Sequence, residues 1–205
     1  MKQVQPDVWQ TELESPFPGL TTHAYLLTRA RGNVLFYNTG HDHEIDRMAG
    51  LGGVHRQYLS HLDELGASLN TIAERYGSLL GGHEAERADF AKVRAPDILF
   101  RRHEVHDGIE VIPTPGHTAG STCFLATSST GRRYLFTGDT LYLSDEGWRA
   151  GLLPGSDRAA LTASLEQLRA LNPDVVFSSA FAGEAGFAEI HGDWAARVDE
   201  ALARM

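Results

Sequence analysis

Two short segments constrain this chain more than any others: Thr114-Pro115-Gly116-His117-Thr118-Ala119-Gly120-Ser121, and Phe136-Thr137-Gly138-Asp139-Thr140. Each follows an apolar run with strand character, Val111-Ile112 in the first case and Leu135-Phe136 in the second. Glycines flank the imidazole and precede the carboxylate, so the backbone can turn tightly and aim both side chains inward. A solvent-facing turn histidine and a cap aspartate are the plain readings of each residue alone, but neither accounts for both. A third cluster, Ser60-His61-Leu62-Asp63-Glu64, follows Tyr58-Leu59. Here Ser60 and Asp63 also fit a capping box, and two carboxylates suit the first turn of a helix. Polar groups at three strand ends match sheet-plus-helix proteins, whose loops hold functional residues above a rigid platform.

The rest of the composition narrows the options. A length of 205 residues predicts a single domain, 1–205, with its own core. The formal charge of -9, with Lys2 and Lys92 as the only lysines, argues against nucleic acid and anionic membrane surfaces as partners. The expected partner is a small-molecule substrate, with a homodimer as the base-rate assembly. No apolar run approaches the length of a membrane span, and the first residues lack a secretory signal pattern, so a cytoplasmic location is expected. Cys123 is the only cysteine, which excludes an internal disulfide and any Cys-rich metal site. A metal would have to be held by His, Asp and Glu.

Periodicity predicts a hairpin from Ala24–Leu27 and Val34–Tyr37, a helix through Ile45, Met48 and Leu51, and a short strand over Gln57–Ser60. A second helix would carry Leu65, Leu69, Ile72, Ala73 and Tyr76 on one face. Short strands are expected near Leu79 and Leu99, then at Ile109–Pro113, Thr122–Thr127 and Tyr134–Thr137. Ser156 is the expected cap of a helix with Leu161, Leu165 and Leu168, followed by a strand at Val175-Val176-Phe177. A last helix would use Ile190, Trp194, Val198 and Leu202.

The octapeptide ending at Ser121, together with Thr137-Gly138-Asp139, resembles the metallo-β-lactamase superfamily over about Ala24 to Phe181. Val34–Gly40 resembles that family's early strand and turn, with Asn38 where an aspartate is usual. The resemblance implies an α/β fold, an αββα sandwich of two mixed sheets with a metal site along one edge. The family's full His-x-His-x-Asp-His motif, aligned on Asp63 and Gly66, falls on Leu59, His61, Asp63 and Glu64. A further family histidine falls at Ala180.

The implied ligand set is therefore His61, Asp63, His117 and Asp139, with Glu64 as a substitute, and Asp63 is the expected group orienting water. Three protein ligands and an open position suffice for a catalytic zinc. One divalent metal is expected, zinc first, with manganese or iron favoured by the carboxylates, and an apo form as the alternative. The resemblance implies hydrolysis of a small ester, thioester or lactone. A catalytically inactive binding or interaction module is the competing reading. Substrate contacts are expected from Tyr142, Trp148 and Arg149. His23, His41 and His43 are candidates to complete the site, whereas His55, His83, His103, His106 and His191 lack motif context.

Overall fold

The fold was read from a computed structural model, which describes residues 1–205, the side chain of Phe17 excepted. The first half of the chain supplies β1 (Lys2–Gln5), β2 (Val8–Gln10), β3 (Glu14–Phe17), β4 (Leu20–Thr22), β5 (Tyr25–Leu27) and β6 (Val34–Phe36). After α1 (Asp42–Met48) come β7 (Arg56–Tyr58), α2 (Ser68–Tyr76), β8 (Leu79–His83), α3 (Arg87–Phe90) and β9 (Ile98–Phe100). The second half supplies β10 (Glu104–His106), β11 (Ile109–Pro113), β12 (Thr122–Thr127), β13 (Arg133–Gly138), β14 (Leu141–Ser144) and β15 (Gly147–Ala150). It closes with α4 (Arg158–Arg169), β16 (Val175–Ser178), β17 (Ala180–Phe181), β18 (Phe187–Glu189) and α5 (Trp194–Ala203).

Two mixed sheets carry the architecture. One runs β1-β2-β5-β6-β7-β8-β9 and the other β10-β11-β12-β13-β16-β18. Strands β6 to β9 are parallel, as are β13 and β16; the other pairings of these two sheets are antiparallel. The sheets face one another across an aromatic core, in which Phe36 stacks on Phe136 at 3.8 Å between ring centroids and Phe136 on Phe177 at 4.9 Å. Offset and edge-to-face rings such as Tyr25 on Phe177 fill this layer at interior density. On the outer face of the second sheet, Leu161, Leu165 and Leu168 of α4 and Trp194, Val198 and Ala201 of α5 cover Ile112, Leu125, Leu135 and Val176. On the first sheet, Leu69 of α2 and Phe90 of α3 cover Leu59 and Leu80. The result is the αββα sandwich, with helices over the outer face of each sheet.

Strands β11 and β12 occupy the expected residues, and the β5–β6 hairpin forms as predicted. Other boundaries differ: β7 covers Arg56–Tyr58 and not Gln57–Ser60, and α1 stops at Met48, with Leu51 in a 3₁₀ turn. Leu65 precedes α2, because Leu62–Glu64 forms a separate 3₁₀ turn. Helix α4 is capped by Asp157, whose carboxylate accepts the Ala160 N–H at 3.0 Å, and Ser156 is used elsewhere. Ile190 lies before α5, where Asp193 is the cap. Among the described residues, no helix is long and apolar enough to cross a membrane.

Candidate metal centre

Every segment singled out in the sequence emerges at the C-terminal end of a strand and meets the others along one edge of the sandwich. His61 lies three residues beyond β7, His117 in the loop after β11, and Asp139 directly after β13. The donor atoms of His61, His117 and Asp139 all lie within 4.8 Å of one another. Asp139 Oδ2 is 3.5 Å from His61 Nε2 and 3.7 Å from His117 Nε2. The rings stand edge to face, 4.7 Å apart. Asp63 reaches the same point from the open side, with Oδ2 3.7 Å from His117 Nε2 and 3.9 Å from His61 Nε2, and its side chain is 51% exposed.

Each candidate ligand is aimed by a contact on its far side. His117 Nδ1 lies 2.7 Å from the Gly151 carbonyl, which can only accept, so Nδ1 carries the hydrogen and Nε2 the lone pair. His61 Nδ1 lies 2.7 Å from Ser60 Oγ, which itself donates to Glu64 Oε1 at 2.7 Å. Asp139 Oδ1 accepts the Ala180 N–H at 3.0 Å, leaving Oδ2 to face the two rings. Both Nε2 atoms are buried and lack a hydrogen-bond partner among the described residues. Gaps of 3.5 to 3.7 Å are longer than hydrogen bonds. Two nitrogens and an anionic oxygen therefore converge on one point, a donor set that suits a divalent cation.

The electrostatics agree. Burial disfavours a charged ring at His61, but the Asp139 and Glu64 carboxylates outweigh it and hold its pKa well above the ordinary value. Burial works against the charged form of Asp139 too, and His61 beside it nevertheless keeps the carboxyl below its usual range. The pocket thus attracts positive charge, from a proton or a metal ion.

The loops are fixed by packing as well as by hydrogen bonds. Gly138 has φ +54°, and a Cβ there would fall 2.1 Å from Ser60 Oγ, so the turn before Asp139 seats directly on the residue before His61. Gly116 presses on α4, where a Cβ would meet the Leu161 backbone nitrogen at 2.3 Å. The Ser156 hydroxyl donates to the His117 carbonyl at 2.9 Å, and Glu86 Oε1 accepts the Gly120 N–H at 2.9 Å.

A sequence profile of the metallo-beta-lactamase superfamily matches residues 23–180. The chain belongs to that superfamily. Solved structures of the superfamily share its fold. A metallo-beta-lactamase from Pontibacter korlensis superposes with a TM-score of 0.76 at 17% identity, over 98% of this chain and 96% of that one. A metallo-beta-lactamase family protein from Thermus thermophilus gives 0.72 at 21% identity, over 98% and 80%. TTHA1623, solved in a di-iron-bound form, gives 0.64 at 20% identity, over 87% and 94%. No curated protein matches the chain.

The residues that the sequence resemblance put at vacant ligand positions have these surroundings. Leu59, expected at the first histidine position, is buried among Leu69, Leu80 and Phe90. Ala180, expected at the late histidine position, is buried, and its N–H donates to Asp139. Glu64 has both carboxylate oxygens engaged by Ser60, Oε2 by the backbone N–H at 2.8 Å and Oε1 by the hydroxyl. The capping box expected between Ser60 and Asp63 is absent among the described residues, because the Ser60 hydroxyl is spent on Glu64.

The other candidates are not part of the His61, His117 and Asp139 cluster. His23 stacks on Phe181 and pairs with Gln10; His41 meets the Leu13 carbonyl, and His43 the Glu12 carboxylate. Trp148 corrects its expected role as a substrate wall: it is 5% exposed and packs edge to face on Trp194, inside the core beneath α5. Tyr142 and Arg149 pair across the β14–β15 hairpin, and the Arg149 guanidinium is bonded to Glu146. Sequence reasoning missed Gly151, whose carbonyl no side-chain pattern reveals, and Tyr37, whose hydroxyl spans the two sheets.

Proposed function

We propose that this chain hydrolyses a small ester, thioester or lactone with one divalent metal ion held by His61, His117 and Asp139. The observation that carries the reading is the pair of buried, unpartnered Nε2 atoms facing Asp139 Oδ2. Zinc suits the two imidazoles, while the neighbouring carboxylates keep manganese and iron in contention. The superfamily neighbour with two bound irons supports a metal-using reading. A divalent cation at this point supplies Lewis acidity, which acidifies water and stabilises negative charge on a carbonyl oxygen.

The chain's own groups do the rest. Gly151 and Ser60 keep the two rings in the tautomer whose lone pairs face inward. Asp63 is the group placed to orient a water and take its proton, being half exposed and within 4 Å of both rings. His117 opposite holds the Asp63 carboxyl below its usual range, so it is an anionic acceptor at neutral pH. Tyr142 and Arg149 are the candidates for substrate contact, since their hairpin starts two residues after Asp139 and ends one before Gly151.

Metal analysis of chain purified without chelator, paired with a panel of esters, thioesters and lactones, tests the proposal. The expected result is about one equivalent of metal and chelator-sensitive turnover, with binding lost in His117→Ala. Metal far below one equivalent after incubation with zinc, manganese or iron would refute it. A second reading, a non-catalytic binding module, is favoured by the apolar packing of Leu59 and Ala180 at two ligand positions. A folded chain with neither metal nor turnover would select that reading.

A further inference from the structure

We infer that Glu64 is not a metal ligand but forms, with Ser60, a positioning pair that fixes the His61 ring and restricts the centre to a single ion. The inference rests on the one-metal reading above. Glu64 is held from both ends. Its side chain is 6% exposed, and its oxygens accept the Ser60 N–H at 2.8 Å and the Ser60 hydroxyl at 2.7 Å. Its backbone carbonyl accepts the Asn38 amide at 3.1 Å, and Asn38 Oδ1 in turn accepts from Gln57 and Ser68, each at 3.1 Å. Asn38, which departs from the superfamily's usual aspartate, is thus what ties Glu64 to the first sheet.

The direction of these bonds sets the ring. A serine hydroxyl has one hydrogen, and an ionised carboxylate can only accept, so that hydrogen belongs to Glu64. Ser60 Oγ then presents a lone pair to His61 Nδ1, 2.7 Å away, and Nδ1 must supply the hydrogen. The inward Nε2 is left as an electron-pair donor. Ser60 has no room to turn aside, because Gly138 lies against its Oγ closely enough to exclude a Cβ. In the superfamily's full motif this position offers an imidazole to a second ion. Here the carboxylate folds back on residue 60, and with Ala180 in place of the late histidine only Asp63 and Asp139 remain on that side.

The test uses zinc alone as probe on the full chain and on Glu64→Gln and Ser60→Ala. In Glu64→Gln the amide oxygen can still accept the Ser60 N–H, but the amide nitrogen then donates to Ser60 Oγ. That reverses the hydroxyl so that it donates to His61 Nδ1 and opposes the required tautomer. Bound zinc is counted, affinity is measured by chelator competition, and the His61 Nδ1–H is observed by ¹H–¹⁵N NMR of zinc-loaded protein. The expected result is one equivalent in all three chains, affinity weakened about 10- to 100-fold in both variants, and an exchange-protected Nδ1–H in the parent chain only. Circular dichroism checks each fold, and Ser60→Ala serves if Glu64→Gln does not fold.

Two equivalents in the parent chain falling to one in Glu64→Gln would make Glu64 a ligand and overturn the inference. One equivalent throughout with unchanged affinity would overturn the positioning role alone. No zinc in the parent chain would remove the one-metal reading and this inference with it.

Discussion

Replacing Tyr37 by Phe tests how the two sheets are locked beside the centre. Tyr37 is a bulky residue at φ +69°, a conformation that costs about 1–2 kcal/mol for a side chain of this kind. Its buried hydroxyl donates to the Phe177 carbonyl at 2.9 Å and accepts the Gly138 N–H at 2.8 Å. The bulky residue is retained because that one oxygen joins a strand end of the first sheet to two strands of the second. In Tyr37→Phe the ring still packs edge to face on Tyr25, so little apolar contact is lost. The Thr137 hydroxyl lies 3.2 Å from the Phe177 carbonyl but closer to the Leu141 carbonyl, at 2.7 Å, and the Gly138 N–H loses its side-chain partner. An unsatisfied buried donor costs about 1–3 kcal/mol, so the expected loss is roughly 2 kcal/mol. With a urea dependence of about 2 kcal/mol per molar, the unfolding midpoint should fall by about 1 M at unchanged slope. A fall under about 0.2 M would show that Gly138 finds another partner and that the hydroxyl does not lock the sheets. Because Asp139 follows Gly138, zinc affinity should weaken too.

Trp148→Ala should cost about 3–5 kcal/mol in denaturation, since it empties a core position against Trp194, and should leave KM unchanged. A raised KM at near-normal stability would return Trp148 to the substrate site. Without metal, stability should peak at mildly acidic pH. His61, whose pKa is raised in the fold, contributes fully below its unfolded value near 6.5, and that contribution is lost as pH rises through the folded value. Asp63 and Asp139, with lowered pKa, contribute above about 3.8 and lose that contribution as pH falls through their folded values. Thermal midpoints of chelated protein at pH 5.5, 7.5 and 9 read this out, and a flat or rising series above about pH 6.5 would refute it. Saturating zinc should reverse the alkaline trend, because protons no longer compete for the ligands.

The sandwich and the convergence of His61, His117 and Asp139 were legible because they rest on local signals. Alternation and β-branching marked β11 and β12, and the glycines around His117 and before Asp139 marked turns that face inward. The β1–β4 strands and the β14–β15 hairpin were not legible, since they lack the continuous buried apolar run that marked β5 and β6 and are held largely by local backbone pairing. Trp148 was misread for a related reason. An aromatic in a loop-like segment resembles a pocket wall until the docking of α5 shows which face of the hairpin is covered. What Glu64 and Leu59 touch depends on Ser60 and on the Leu69, Leu80 and Phe90 cluster, which spacing alone does not reveal.

On the alignment that puts Leu59 and Ala180 at histidine positions, two properties separate, the number of donors and their orientation. His117 is aimed by Gly151, His61 by Ser60 and Asp139 by Ala180, and none of these supports depends on the residues at 59 or 180 having metal-binding side chains. The three candidate ligands are consequently pre-arranged, so the proposed centre would be weakened by fewer imidazoles in affinity rather than in geometry. It follows that Leu59→His should not rebuild a richer centre. The new imidazole would enter a dry cluster of Leu69, Leu80 and Phe90 with no polar partner there, losing about 1–3 kcal/mol for the buried polar group before any metal is gained. Zinc affinity that rises in Leu59→His without loss of stability would show that this cluster is able to open toward the site, and that orientation is less firmly set than the hydrogen bonds imply.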